Sequence, residues 1–210
     1  MISENYQKIL AQVGDKNKLL AVTKYSEFED IKTVYDLGHR DFGENRVESL
    51  MPKAQRALEL GLGDIRWHFI GHIQSNKIAK ICQVPNLKSV QSLDNLKHMR
   101  LFNEKLNSPC DFYIQVNTSG EEQKGGLWEL ESVRDFINQA KDMANIRIVG
   151  LMTMAAADGL APRLSFQKLV DIRDAIDKDL KLSMGMSGDM DDALELGSDC
   201  IRVGSAIFKG

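Results

Sequence analysis

The 210-residue chain has three cysteines, Cys82, Cys110 and Cys200, far apart and odd in number. That fits neither a disulfide framework nor a metal-ligand cluster, and it points to the cytoplasm. Each is expected to be a small buried or half-buried hydrophobe. A basic surplus is missing too: 27 Lys and Arg against 30 Asp and Glu leave a formal net charge of −3, with no long basic run. Nucleic acid is therefore not an expected partner. The apolar runs are too short for a membrane span, and MISENYQKIL lacks the basic-then-apolar order of a signal peptide. There is no Rossmann glycine fingerprint, Walker loop, Pro/Ser/Gly-rich linker or low-complexity tract. Hydrophobic residues at 43% and charged residues at 27% are ordinary for a soluble globular chain. Its length suits one substantial core, so one domain over residues 1–210 is expected.

What is present is a strict alternation. Short β-branched runs at Leu19–Lys24, Asp41–Asn45, Arg66–Gly71, Leu87–Leu93, Cys110–Asn117, Ile146–Met154, Leu182–Ser187 and Cys200–Phe208 read as strands. Helical spacing fills the gaps: Phe28, Ile31, Val34 and Tyr35; Leu130, Val133, Ile137 and Ala140; Phe166, Leu169, Val170, Arg173 and Ile176. Gly38, Gly61 and Gly197 stand where helices should end. An additional amphipathic helix at the start carries Tyr6, Ile9, Leu10 and Val13. Eight strands and seven intervening helices predict an α/β fold, a closed (β/α)8 barrel. Little sequence follows the eighth strand, so the first helix is expected to cover that seam or to cap the barrel bottom.

Lys24 ends the first run, in Leu19-Leu20-Ala21-Val22-Thr23-Lys24, and Ser26-x-x-Glu29 beyond it reads as a capping box. Burial and the positive end of a helix dipole both favour the neutral amine, the form that attacks a carbonyl. Taken alone, the same segment is better described as a lysine that snorkels to solvent at a strand end. The barrel fold supplies context, because sites lie at the C-terminal strand ends and phosphate binds near strands 7 and 8. There, Ser187 reads as a helix N-cap, Gly204 permits close backbone approach, Ser205 offers a hydroxyl and Arg202 a positive fork. A lumen-facing arginine needs an acceptor, which a ligand would provide. Asn45 ends strand 2 and either caps the next helix or faces a ligand. His68 and His72 are separated by a strand and turn and have no evident carboxylate partner, so no metal site is expected. Lys77 reads as a solvated helix residue, with an anionic ligand as its alternative. Met152, Met154, Met184 and Met186 read as core packing, with a soft pocket at the barrel top as theirs.

The segments AVTKY, FGENRVE, WHFIGHIQSNK, GLMTM and SMGMSGDMDDALELGSDCIRVGSAIF resemble those of the pyridoxal 5′-phosphate (PLP) homeostasis proteins. These share their fold with the N-terminal domain of alanine racemase, and the likeness runs in order from Leu19 to Phe208. It implies that Lys24 holds PLP as an internal aldimine. It also implies that Ser187, Gly204 and Ser205 bind the phosphate, that Arg202 faces the pyridine nitrogen and that Asn45 sits near the ring. The sequence departs from the family's usual pattern at Tyr25, at Gly188 and at Gly125-Gly126, and it ends earlier than most relatives.

An arginine at the pyridine nitrogen leaves the ring a weaker electron sink than an acidic partner does. Two-base racemisation further needs an acid that racemases of this fold draw from a second domain, for which this chain leaves no residues. The expectation is a PLP carrier that stores, buffers or delivers the cofactor, with effects on amino-acid and keto-acid balance. No catalytic residue is assigned, apo-enzymes are the implied recipients, and the resemblance favours a monomer. The alternatives are a small amino-acid racemase and, without PLP, a Schiff-base aldolase acting on a phosphorylated sugar.

Overall fold

A computed structural model of the chain describes residues 1–155 and 162–209. Eight strands, β1 (Leu19–Val22), β2 (Asp41–Glu44), β3 (Arg66–Phe69), β4 (Leu87–Leu93), β5 (Cys110–Gln115), β6 (Ile146–Met152), β7 (Lys181–Ser183) and β8 (Ile201–Val203), form one parallel sheet. Its order runs from β7 down to β1 and then to β8, with Leu20 paired to Arg202 across the β1–β8 seam. A bridge between Ser183 and Cys200 closes the ring, supported by Met184 N–H to Cys200 O at 3.2 Å and Arg202 N–H to Gly185 O at 3.0 Å. The result is the expected (β/α)8 barrel.

The helices are α1 (Ile2–Val13), α2 (Phe28–Asp36), α3 (Val47–Glu59), α4 (Ile78–Cys82), α5 (Leu96–Lys105), α6 (Leu130–Ala140), α7 (Pro162–Ile176), α8 (Met190–Glu195) and α9 (Ser205–Phe208). The longer helices between strands bury an apolar stripe; on α6 that stripe is Val133, Phe136 and Ala140. Gly38, Gly61 and Gly197 follow α2, α3 and α8 with φ of 91°, 74° and 82°, the left-handed stop expected of them. The first helix lies over the seam. Tyr6, Ile9 and Val13 are buried, the Tyr6 hydroxyl meets His39 Nδ1 at 3.2 Å, and Asn5 Nδ2 donates to Ile207 O at 3.4 Å.

Seven of the eight strands end earlier than expected, and two of them by more than two residues. The run Leu182–Ser187 is a strand only to Ser183, and Cys200–Phe208 only to Val203. Beyond Gly204 the chain turns and Ser205–Phe208 is helical, so a short helix stands where none was expected. Short apolar runs of this kind do not distinguish strand from helix by periodicity.

The lumen is polar at its centre, where many such barrels are filled by Val, Ile and Leu. Ser183 on β7 donates to Gln91 Oε1 on β4 at 2.7 Å, and Arg202 Nη1 on β8 donates to Ser183 Oγ at 2.7 Å. Because β4 lies across the barrel from β7 and β8, these bonds cross its interior.

Candidate functional site at the barrel rim

Lys24, Asn45, Ser187, Gly204 and Ser205 all lie just past the C-terminal ends of their strands, on one rim. Arg202 lies below them, within β8. Leu20 is level with Arg202 across the seam, and Lys24 follows Leu20 by four residues, two of them past the end of β1.

The surroundings of Lys24 differ from expectation. The strand stops at Val22, Thr23 is buried, and Lys24 is exposed in a turn closed by Ser26 N–H to Thr23 O at 3.0 Å. Burial therefore does not act on this amine. Its Nζ lies 5.0 Å from the Tyr25 ring centroid, and Lys209 Nζ lies 4.1 Å from the same ring. Exposed cation–π contacts are worth only about 0.5–1 kcal/mol, so the amine is held loosely and is free to reach a ligand. The helix beyond begins one residue later than the Ser26–Glu29 pattern implied: Glu27 is the N-cap, and its N–H donates to Asp30 Oδ2 at 3.2 Å.

Arg202 is the opposite case. It is 6% exposed, with Nη1 on Ser183 Oγ and Nη2 on Thr153 O at 2.8 Å. Both acceptors are neutral, and no carboxylate pairs with it among the described residues. Burial pushes its guanidinium below the usual value, with Cys200 and Asp189 opposing the shift. A buried cation paired only with neutral oxygens suits an electron-rich ligand atom.

Ser187 is not the helix cap. Asp189 takes that place, and its Oδ1 accepts the Met186 N–H, which leaves the half-buried Ser187 in the preceding turn. Ser205 is exposed and opens α9, so the first backbone N–H groups of that helix have no partner within it. At Gly204 a Cβ would stand 3.0 Å from Val22 O, so this glycine lets the β8 end close against β1. These hydroxyls and N–H groups stand at the ends of the neighbouring strands β7 and β8.

Asn45 is not a cap either. Arg46 precedes α3, and the half-buried Asn45 side chain makes no hydrogen bond among the described residues. Gly71 holds its loop: a Cβ there would meet Asn45 O at 1.8 Å. Asn45 borders a cavity of about 470 Å³ with Phe69, His72, Gln74 and Lys77. Lys77 pairs with Glu48 across it, so the anion reading of Lys77 has a rival already in place. His68 faces the other end of the barrel, with Nε2 on Asp41 Oδ1 at 3.0 Å and Nδ1 on Ser89 Oγ at 2.7 Å. No three metal-ligating side chains converge among the described residues. Met152 and Met184 are buried, Met154 is half-buried and Met186 is 41% exposed. Burial raises the thiol pKa of Cys82 to about 11 and of Cys110 to about 12.

Sequence reading passed over Glu44, Lys53, Ser183, Gln91 and Thr153. The one local signal was Glu44, a charged residue directly after the buried Phe42 and Gly43. A cavity of about 530 Å³ opens at the N-terminal strand ends and is lined in part by Asp41, Arg66, His68, Lys88 and Asp111. Four of its charges pair with one another, Arg66 with Asp41 and Lys88 with Asp111. In this fold that face serves stability.

The family described as "Alanine racemase, N-terminal domain" matches residues 1–210. The "Pyridoxal phosphate homeostasis protein" of Schizosaccharomyces pombe is 42% identical over 202 residues, covering 90% of this chain and 82% of that protein. Its Synechocystis namesake is 35% identical over 97% of this chain and 95% of its own length. The chain belongs to the pyridoxal phosphate homeostasis protein family. Among solved structures, PipY of Synechococcus elongatus PCC7942 is similar with a TM-score of 0.88 without PLP and 0.85 with PLP bound. Both comparisons show 26% identity and cover 99% of this chain and 100% of PipY. Alanine racemase of Clostridium difficile 630, at 14% identity and TM-score 0.76, shares the fold, and this chain covers 56% of it. Among the described residues no helix is long and apolar enough to cross a membrane.

Proposed function

We propose that the chain, as one barrel domain, is a cytoplasmic PLP-binding protein that stores, buffers or delivers the cofactor, with Lys24 as its tether. The observation that carries this reading is the pairing of an accessible lysine after β1 with a buried arginine, bonded only to neutral oxygens, on the adjacent β8. The residues present fit the cofactor. When bound, PLP supplies an aldehyde carbon that a primary amine captures reversibly. Lys24 offers that amine at the rim. Arg202 offers a donor to the ring nitrogen from below, held in place by Ser183 and Thr153. Ser187, Gly204 and Ser205 would offer hydroxyls and backbone N–H groups to the phosphate, and Asn45 would offer its side-chain amide to the ring. The names of the curated relatives and the PLP-bound structure of PipY support the same reading.

Arg202 also bears on turnover. A guanidinium donates and does not give up its proton, so it leaves the ring nitrogen unprotonated and the ring a weak electron sink. A reversible tether needs no such sink. PLP-dependent apo-enzymes, as recipients, and a monomeric state complete the proposal.

Borohydride reduction of the PLP-loaded protein followed by peptide mapping tests it. The pyridoxyl group should lie on Lys24, and the visible absorbance band should vanish in Lys24→Ala. A protein that PLP cannot colour overturns the reading. L-amino acids incubated with the loaded protein should lose chirality no faster than with free PLP.

A further inference from the structure

Glu44 is fully buried, and its partner Lys53 on α3 has a side chain only 14% exposed. Lys53 Nζ donates to Glu44 Oε2 at 2.7 Å and to the Thr23 carbonyl oxygen at 2.7 Å. Thr23 Oγ1 donates to the same carboxylate oxygen at 3.3 Å, and Asn45 N–H donates to the other at 2.9 Å. The two backbone groups engaged are informative. One is the carbonyl immediately before Lys24, which also closes the Lys24 turn through Ser26 N–H at 3.0 Å; the other is the amide of Asn45 itself. A single buried ion pair thus holds the start of one site-bearing turn and the start of the next.

Buried ion pairs stabilise folds poorly, because desolvation offsets their attraction and apolar replacements are often as stable. Their better-attested use is to fix one arrangement among several. We propose that Glu44 and Lys53 are positioning residues for the cofactor site, setting the direction of Lys24 and the placement of Asn45. This rests on the PLP reading given above. Neither residue touches the cofactor. Lys53 acts through the Thr23 carbonyl and Glu44 through the Asn45 amide.

The test compares Lys53→Met and Lys53→Arg with the unaltered protein, using three measurements. Amide hydrogen exchange without PLP should quicken about ten-fold or more in Lys53→Met across residues 24–26 and at Asn45 while the distant strands hold. PLP affinity should fall about ten-fold, the loss expected for one charged hydrogen bond. The induced circular dichroism per bound PLP should shrink, because that signal reports how the ring is held. Lys53→Arg should recover most of all three. If Lys53→Met only lowers the melting temperature, with local exchange, affinity and induced dichroism unchanged, the pair is structural and the inference is overturned. Should Lys53→Met fail to fold, Glu44→Gln/Lys53→Gln, which removes both charges and keeps polar groups in place, is judged by the same criteria. Failure of the underlying reading looks different: the unaltered protein would carry no pyridoxyl group on Lys24.

Discussion

The two mouths of the barrel carry similar residue types and treat them in opposite ways. At the N-terminal mouth Asp41 takes two bonds from Arg66 and one contact from His68, and Asp111 takes Lys88 and Arg147. At the C-terminal rim Arg202 is bonded only to neutral oxygens, the Asn45 side chain makes no hydrogen bond among the described residues, and Lys24 rests on a tyrosine ring. Charge answered inside the chain serves stability. Charge left unanswered at a strand terminus is what a ligand completes. The Glu44–Lys53 pair is the informative intermediate, internally answered yet placed beneath the rim.

The largest break in this comparison should come from Lys24→Ala, which removes the proposed tether. The visible band and the borohydride-fixed pyridoxyl group should both be absent, while urea unfolding without PLP stays near the parent because Lys24 is exposed. Next in size is Arg202→Met. It should weaken PLP binding by about 10- to 100-fold in equilibrium titration. Its stability without PLP should stay within about 1 kcal/mol of the parent, since a buried cation lacking an anionic partner gives the fold little. A large loss of stability with unaltered affinity would assign Arg202 to the core instead of the site.

The barrel was legible because β/α alternation repeats eight times, and errors at single ends do not disturb the count. Those errors cluster where apolar residues run past a strand: Met184 and Met186 after β7, and Ala206, Ile207 and Phe208 after β8. The rim residues were legible from strand-end position and family pattern, but depth was not. Alternation is silent on whether Thr23 or Lys24 is the last covered residue. Both capping assignments missed by one or two residues, with Glu27 and Asp189 in the roles given to Ser26 and Ser187. The Glu44–Lys53 pair joins a strand to a helix nine positions on, and the Gln91–Ser183–Arg202 bridge joins opposite barrel walls. Neither has a local signature.

His39, near the N-terminal mouth, extends the comparison to pH. Its Nε2 donates to the Asp41 carbonyl at 2.8 Å, which leaves Nδ1 to accept from Tyr6 at 3.2 Å, and burial lowers its pKa to about 4. In the unfolded chain a histidine titrates near 6.5, so between those values the unfolded state binds more protons. Stability is whole above about pH 6.5 and declines as pH falls toward 4. Urea unfolding should lose about 2 kcal/mol from this group between pH 7 and pH 5. His39→Gln should flatten that window while leaving PLP affinity at pH 7 unchanged.

The smallest effect, and the sharpest check, is Asp41→Asn. Burial opposes the Asp41 charge, but hydrogen bonds from Arg66 and His68 outweigh it and hold the carboxyl well below its usual range. Because the Arg66 side chain is 47% exposed, solvent screens the pair, and its loss should cost only about 1 kcal/mol in unfolding without PLP. If the two mouths are independent, PLP affinity should change by less than about two-fold. A larger change would mean that the N-terminal mouth reaches the cofactor through the polar lumen, by way of His68 and Ser89 toward the Gln91–Ser183–Arg202 bridge. In that case stability and ligand charge would not divide cleanly between the ends of this barrel.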